Sequence, residues 1–198
     1  MSAHPLSPPS SRRSRRRART FVVLGMLAIG AGVFVGFGLP GLASGTPLVT
    51  TTPGVADGVI PAGHPATLED VSLPAISRLD EGLLSALRRA DAAAEAHGIR
   101  ILISSGWRST QYQRWLFAQA VKTYGSDSVA REYVASPDRS SHVTGRAVDV
   151  APVAAQEWLI AHGALFGLCQ IYANERWHFE LATTPGGQCP PLRQDAAG

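Results

Sequence analysis

Cysteine is scarce in this chain of 198 residues: Cys169 and Cys189 are the only two. Neither has a second cysteine at finger spacing, which excludes a structural zinc held by paired cysteines. The helical H-E-x-x-H pattern is missing as well, so the zincin arrangement of a metallopeptidase is excluded. There is no internal repeat, and a solenoid or propeller is therefore ruled out. A basic surplus is also missing once the charges are located. The net charge is +3, but Arg12, Arg13, Arg15, Arg16, Arg17 and Arg19 form one run. Without those six of the 18 basic residues, 12 basic face 15 acidic side chains, a net charge of −3. The body of the protein is mildly acidic, so its basic pI implies no nucleic-acid partner.

What is present begins with an uncharged run, Phe21 to Leu39, long enough to cross a bilayer core of about 30 Å. The arginines before it keep the N-terminus in the cytoplasm by the positive-inside rule. The expected organisation is a basic cytoplasmic segment (1–20), a transmembrane anchor (21–43), a linker (44–72), one globular domain (73–185) and a C-terminal tail (186–198). A cleaved signal segment is the alternative for 21–43, because Leu42-Ala43-Ser44-Gly45 offers small residues for processing. Both readings place the domain outside the cytoplasm, at the cell membrane in the first case. Cysteine usage fits that compartment. A Cys169–Cys189 disulfide would tie the tail to a strand, while two unpaired thiols are the alternative.

Along the domain, Ile76, Leu79, Leu83, Leu87, Ala90 and Ala94 recur at three- and four-residue steps, predicting one helix that stops at Gly98. Ile99 to Ser104 reads as a buried strand, Thr110 to Tyr124 as a helix ending at Gly125, and Asp127 to Val134 as a shorter helix. Arg146 to Val150 alternates as a strand, with Val148 and Val150 on one face and Ala147 and Asp149 on the other. A helix over Val153 to Phe166 follows, then strands over Cys169 to Tyr172 and Arg176 to Leu181. In the last strand Trp177, Phe179 and Leu181 share the core side, while His178 and Glu180 share the other. The fold class is α+β: a small antiparallel sheet with helices packed on one side and polar site residues on its open face.

His142, Asp149, Glu175 and His178 supply two imidazoles, a carboxylate and a spare acid, which is the donor set of a catalytic zinc ion with its base. His142 alone reads more readily as a structural histidine. An acid such as Asp149, in a strand otherwise made of valine and alanine, needs a cation. Glu175 is a turn acid that can fold back beside the metal without binding it, the placement of a general base. Arg108 reads locally as a solvated loop arginine, or as a fork for a peptide carboxylate or a developing oxyanion. Gln113 and Ser140 each contact a substrate amide or cap a helix or turn. Trp107 is expected to line a cleft, and Trp115 and Phe117 to be core. His4, His64, His97 and His162 are structural or exposed.

Ser140-x-His142-x-x-Gly145-x-Ala147-x-Asp149, with Glu175-x-Trp177-His178 and Ser105-Gly106-Trp107-Arg108-Ser109 followed by Gln113, resembles the VanY-type D-alanyl-D-alanine carboxypeptidases. These belong to the zinc peptidases that include lysostaphin and the hedgehog-like domain, and the resemblance spans roughly residues 70 to 182. It departs at Trp107, where tyrosine is usual, and at Pro137-Asp138-Arg139, where Pro-Gly is usual. The resemblance implies that His142, Asp149 and His178 bind Zn2+ and that Glu175 activates water. It also implies that Arg108 engages the terminal carboxylate or the tetrahedral intermediate, and that the substrate is a peptidoglycan stem peptide. An L,D-carboxypeptidase, a D-Ala-D-Ala dipeptidase and a non-catalytic zinc-containing cell-wall module are the alternatives.

Overall fold

Alternating apolar residues make strands that bury one face, and four such strands form the sheet of this protein. A computed structural model describes residues 52–197. Residues 1–20 and the apolar run 21–43 lie outside the described residues. Among the described residues, no helix is long and apolar enough to cross a membrane. The strands are β1 (Leu102–Ser105), β2 (Ala147–Ala151), β3 (Leu168–Gln170) and β4 (His178–Leu181). They pair antiparallel throughout in the order β1-β2-β4-β3.

Two helices cover one face of this sheet, α2 (Glu81–Glu95) and α5 (Val153–His162), with a 3-10 turn at Gly163–Phe166. Leu83, Leu87, Ala90 and Leu159 from the helices meet Ile103, Val148, Val150, Leu168 and Phe179 from the strands in one buried cluster. Ala66 and Leu68 join that cluster from within the stretch read as linker, and Ala66 pairs its backbone with Ile103. The remaining helices, α3 (Thr110–Tyr124) and α4 (Asp127–Tyr133), pack against each other. Ser109 caps α3 by accepting the Tyr112 N–H, and Gly125 ends it in the left-handed conformation, so its limits coincide with those expected.

Three expectations are corrected by the packing. The helix expected to run unbroken from Ile76 is split into α1 (Pro74–Ser77) and α2. Asp80 causes the break: its carboxylate accepts the Leu83 N–H at 3.1 Å, and its own N–H leaves the helical pattern to donate to the Gly145 carbonyl at 2.9 Å. In β4 only Phe179 is core, at 0% exposure, whereas Trp177 and Leu181 are 44% and 40% exposed. They lie at the two ends of a short strand, Trp177 just before its start and Leu181 at its last position, where burial under the helices is incomplete. Trp115 and Phe117 are half-buried rather than core, and Phe117 lies under the Arg131 guanidinium.

The approach to β1 is held by a buried acid. Asp91, on α2, accepts the Ile101 N–H at 2.7 Å, and its other oxygen faces the Arg100 guanidinium at 3.6 Å. Ile101 is itself buried, so this N–H has no recourse to water. Asp91→Ala should lower the unfolding free energy by about 1–3 kcal/mol, the cost of an orphaned buried donor, as a shift in urea midpoint.

Candidate metal centre

The ladder between β2 and β4 sets Asp149 opposite His178, and both side chains leave the sheet on the face away from α2 and α5. The third member arrives on the loop between α4 and β2. That loop turns tightly: Val143 N–H donates to Ser140, Gly145 N–H to His142 and Arg146 N–H to Ser141. Gly145 adopts φ +71°, and a side chain there would collide with the Arg78 carbonyl, so glycine alone closes the turn against the α1–α2 break. The His142 carbonyl accepts the Arg108 N–H at 3.1 Å, which fastens the loop to the turn after β1.

The two imidazoles are oriented by their outer nitrogens. His142 Nδ1 lies 2.8 Å from the Gly106 carbonyl, an acceptor, so Nδ1 carries the proton and Nε2 points inward as a lone pair. His178 Nε2 lies 3.0 Å from Glu180 Oε1, which leaves Nδ1 to face the same point. Asp149 Oδ2 takes the Arg108 guanidinium at 2.5 Å, while the buried Oδ1 has no hydrogen bond. Oδ1 sits 3.3 Å from His142 Nε2 and 3.4 Å from His178 Nδ1, and the two nitrogens are 3.3 Å apart. Three converging acceptors in a buried site need a shared cation. The donor set of two nitrogens and one carboxylate oxygen fits a divalent metal with further positions left for water or substrate.

Charge follows the same geometry. Burial works to raise the Asp149 pKa, but His142 and Arg108 outweigh it and hold the carboxyl well below its usual range. Burial pushes His142 down, and the Arg108 charge pushes it further. Burial would also lower His178, yet its close contacts with Asp149 and Glu180 prevail and raise it to about 9, a proton that a bound cation would displace. Glu175, in the turn before β4, lies with Oε2 3.7 Å from His178 Nδ1. Burial pushes it up to about 7, the Asp149 charge adding to this and the His178 charge opposing it.

The cleft therefore gathers His142, Asp149, His178, Glu175, Arg108, Gln113 and Ser140 on one lining. Arg108 is no solvated loop residue. Its Nε donates to Ser105 Oγ at 2.8 Å, Nη1 to Gln113 Oε1 at 3.1 Å and Nη2 to Asp149. Gln113 has its amide on the Ala135 carbonyl at 2.8 Å, so both ends of this buried side chain hold protein partners and it positions Arg108. Trp107 is not brought into the cleft lining; the Arg78 guanidinium stacks on its ring at 4.4 Å. His64, His97 and His162 are exposed, and His4 lies outside the described residues.

The site face is also less open than the strand pattern suggests. All three converging residues are buried, in a cleft that Leu116, Val134 and Tyr172 also line. Two contributors went unassigned in sequence. Glu180 shares a strand face with His178, so its i+2 spacing signals a carboxylate beside the imidazole. Tyr172, whose ring lies 5.0 Å from that of His178, carries no such signal.

The chain matches the VanY family, described as D-alanyl-D-alanine carboxypeptidase, over residues 76–183. It is similar to the solved structure of VanYB in complex with D-alanine-D-alanine, at 26% identity and a TM-score of 0.51, covering 61% of this chain and 80% of that one. A vancomycin-resistance D,D-pentapeptidase VanY from a VanB-type cassette, a mutant in complex with Zn(II), is 24% identical with a TM-score of 0.49, covering 62% and 85%. The L,D-carboxypeptidase DacB from Streptococcus pneumoniae is 25% identical with a TM-score of 0.43, covering 55% and 67%. No curated protein matches significantly.

Glu180 gives the trio its test. Glu180→Gln removes the carboxylate that fixes the His178 tautomer, and metal affinity measured by competition with a chromophoric chelator should fall by about 10–100-fold.

Proposed function

The chain belongs to the VanY family of D-alanyl-D-alanine carboxypeptidases, and on that premise we propose that it removes the terminal D-alanine from peptidoglycan stem peptides, with His142, Asp149 and His178 holding Zn2+. The observation that carries this reading is the convergence of His142 Nε2, Asp149 Oδ1 and His178 Nδ1 in a buried cleft, with Glu175 beside them. The similarity to VanYB, which was solved with D-alanine-D-alanine, supports the choice of substrate.

When bound, zinc supplies Lewis acidity that polarises a carbonyl and makes a water proton easier to remove. The chain's own residues do the rest. Glu175 takes that proton and later delivers it to the departing amine; a carboxylate titrating near 7 suits both transfers. Arg108 keeps Asp149 ionised and oriented through Nη2, and brings a fixed positive charge to the cleft lining for the substrate carboxylate or the developing oxyanion. Gln113 and Ser105 hold that guanidinium in place. Ser140 lines the cleft as a further polar contact for the peptide.

Residues 21–43 complete the proposal as a membrane anchor, with 1–20 cytoplasmic and the domain extracytoplasmic, where its substrate lies. The arginine run and the uncharged stretch support that topology. The Cys169–Cys189 disulfide accords with an oxidising compartment.

Glu175→Gln should retain metal and lose turnover by about 10²–10⁴-fold. Because the base must be ionised, kcat/KM of the unmodified protein falls as pH drops; a nearby divalent ion favours the carboxylate, so the acidic limb lies at or below about 7. A Glu175→Gln protein with unmodified turnover would refute the assignment. On stem peptides, a pentapeptide ending in D-Ala-D-Ala should release one D-alanine and a tetrapeptide none, with chelator abolishing release; release from the tetrapeptide alone would overturn the choice of substrate.

A further inference from the structure

The segment from Cys189 to Ala197, expected as a plain tail, is built into the active cleft. Cys189 is bonded to Cys169 in β3. Arg193 donates its N–H to the Ile171 carbonyl at 2.9 Å and accepts the Ala173 N–H at 2.8 Å, pairing in parallel with Tyr172. Arg139, in the loop leading to His142, donates Nη1 to the Ala197 carbonyl at 2.7 Å. Three anchors of different kinds thus tie one short segment to β3, to the connection before Glu175 and to the ligand loop.

What the segment delivers is narrow. Leu192, Arg193 and Gln194 are exposed, and Ala196 is its one buried side chain among the described residues. Ala196 packs with Cys169, Ile171 and Tyr172, with Ala135 against them, and lines the same cleft as Arg108, Glu175 and His178. Burying a single methyl contributes little to a core. Three anchors thus hold a residue that lines the cleft, and the small side chain there leaves room for a peptide.

We propose that Arg193–Ala197 is a substrate-recognition wall of the catalytic cleft, held in place by the Cys169–Cys189 disulfide, with Ala196 in contact with the bound peptide. The inference rests on the carboxypeptidase reading and deepens it. Leu116 and Val134 line the same cleft as this wall and supply further apolar surface for the peptide. The Ala196 methyl offers no metal-binding atom and carries no proton, so its contribution falls on binding.

Two variants of the full chain, loaded with zinc, test the wall. Ala196→Trp fills the cleft side and should raise KM for a D-Ala-D-Ala pentapeptide by about tenfold or more while kcat stays within about threefold, the pattern of lost uniform binding. Cys169→Ala with Cys189→Ala frees the wall and should raise KM in the same direction, in protein confirmed folded by its melting transition. A segment that only clamps the fold would lower the melting temperature and leave KM alone, and an unchanged KM for Ala196→Trp overturns the proposal whatever the cysteine pair does. Absence of D-alanine release by the unmodified protein would instead remove the carboxypeptidase reading. In that case calorimetric Kd values for the pentapeptide on Glu175→Gln protein, with and without Ala196→Trp, still decide the wall: equal values reject it.

Discussion

Asp149 stands opposite His178 across the ladder of β2 and β4, and the site depends on that register. Directly opposed residues in an antiparallel pair hold their Cβ atoms about 4.5–5.5 Å apart, the separation that lets a carboxylate and an imidazole meet at one ion. A slip of one residue would turn both side chains into the layer occupied by Phe179 and Val148, and bring those two out. The apolar face guards against the slip: Val148 and Phe179 are paired in the same ladder and fully buried under α2 and α5. The core thus fixes the chemistry on the opposite side of the sheet, and its packing and the site geometry are one constraint seen from two faces.

Around that pair the protein resolves a costly problem, several ionisable groups within a few ångströms and out of water. Each is given a partner on its outer side. Arg108 takes one oxygen of Asp149, Glu180 takes the outer nitrogen of His178, and the Gly106 carbonyl takes that of His142. Only the inner atoms are left facing one another, and Glu175 remains beside them without a strong fixed partner. That asymmetry separates a group that holds from a group that moves protons.

Much of this was legible in the sequence because it depends on local pattern. Alternation in Ala147–Val150 assigned faces, alternation around His178 set Phe179 to the core and His178 with Glu180 away from it while extending the core too far to Trp177 and Leu181, and Ser109 with Gly125 bounded a helix. The turn position of Glu175 followed from its place before a strand. What escaped depends on contacts between distant parts of the chain. The break at Asp80 exists because its N–H finds the Gly145 carbonyl, and no periodicity in the helix announces that partner. Trp107 reads locally as a cleft residue, but the Arg78 guanidinium lies across its ring; local sequence leaves Arg108 open between a solvated loop cation and a fork for an anion, and Ser105, Gln113 and Asp149 close around it. For residues 189–197 the cysteine pair signals the tie to a strand, but the backbone bonds of Arg193, the Arg139 contact with Ala197 and the burial of Ala196 depend on distant partners.

The turn that carries His142 is pinned by protein groups alone: Gly145 to the α1–α2 break, the His142 carbonyl to Arg108, and the ring to Gly106. Its conformational entropy is therefore lost when the chain folds, not when an ion arrives. Coordination at such a preorganised trio draws on bond formation and desolvation with little left to subtract for ordering the ligands. An ion held by the folded trio and not by the open chain stabilises the fold by mass action, so affinity for the ion and stability of the fold remain linked.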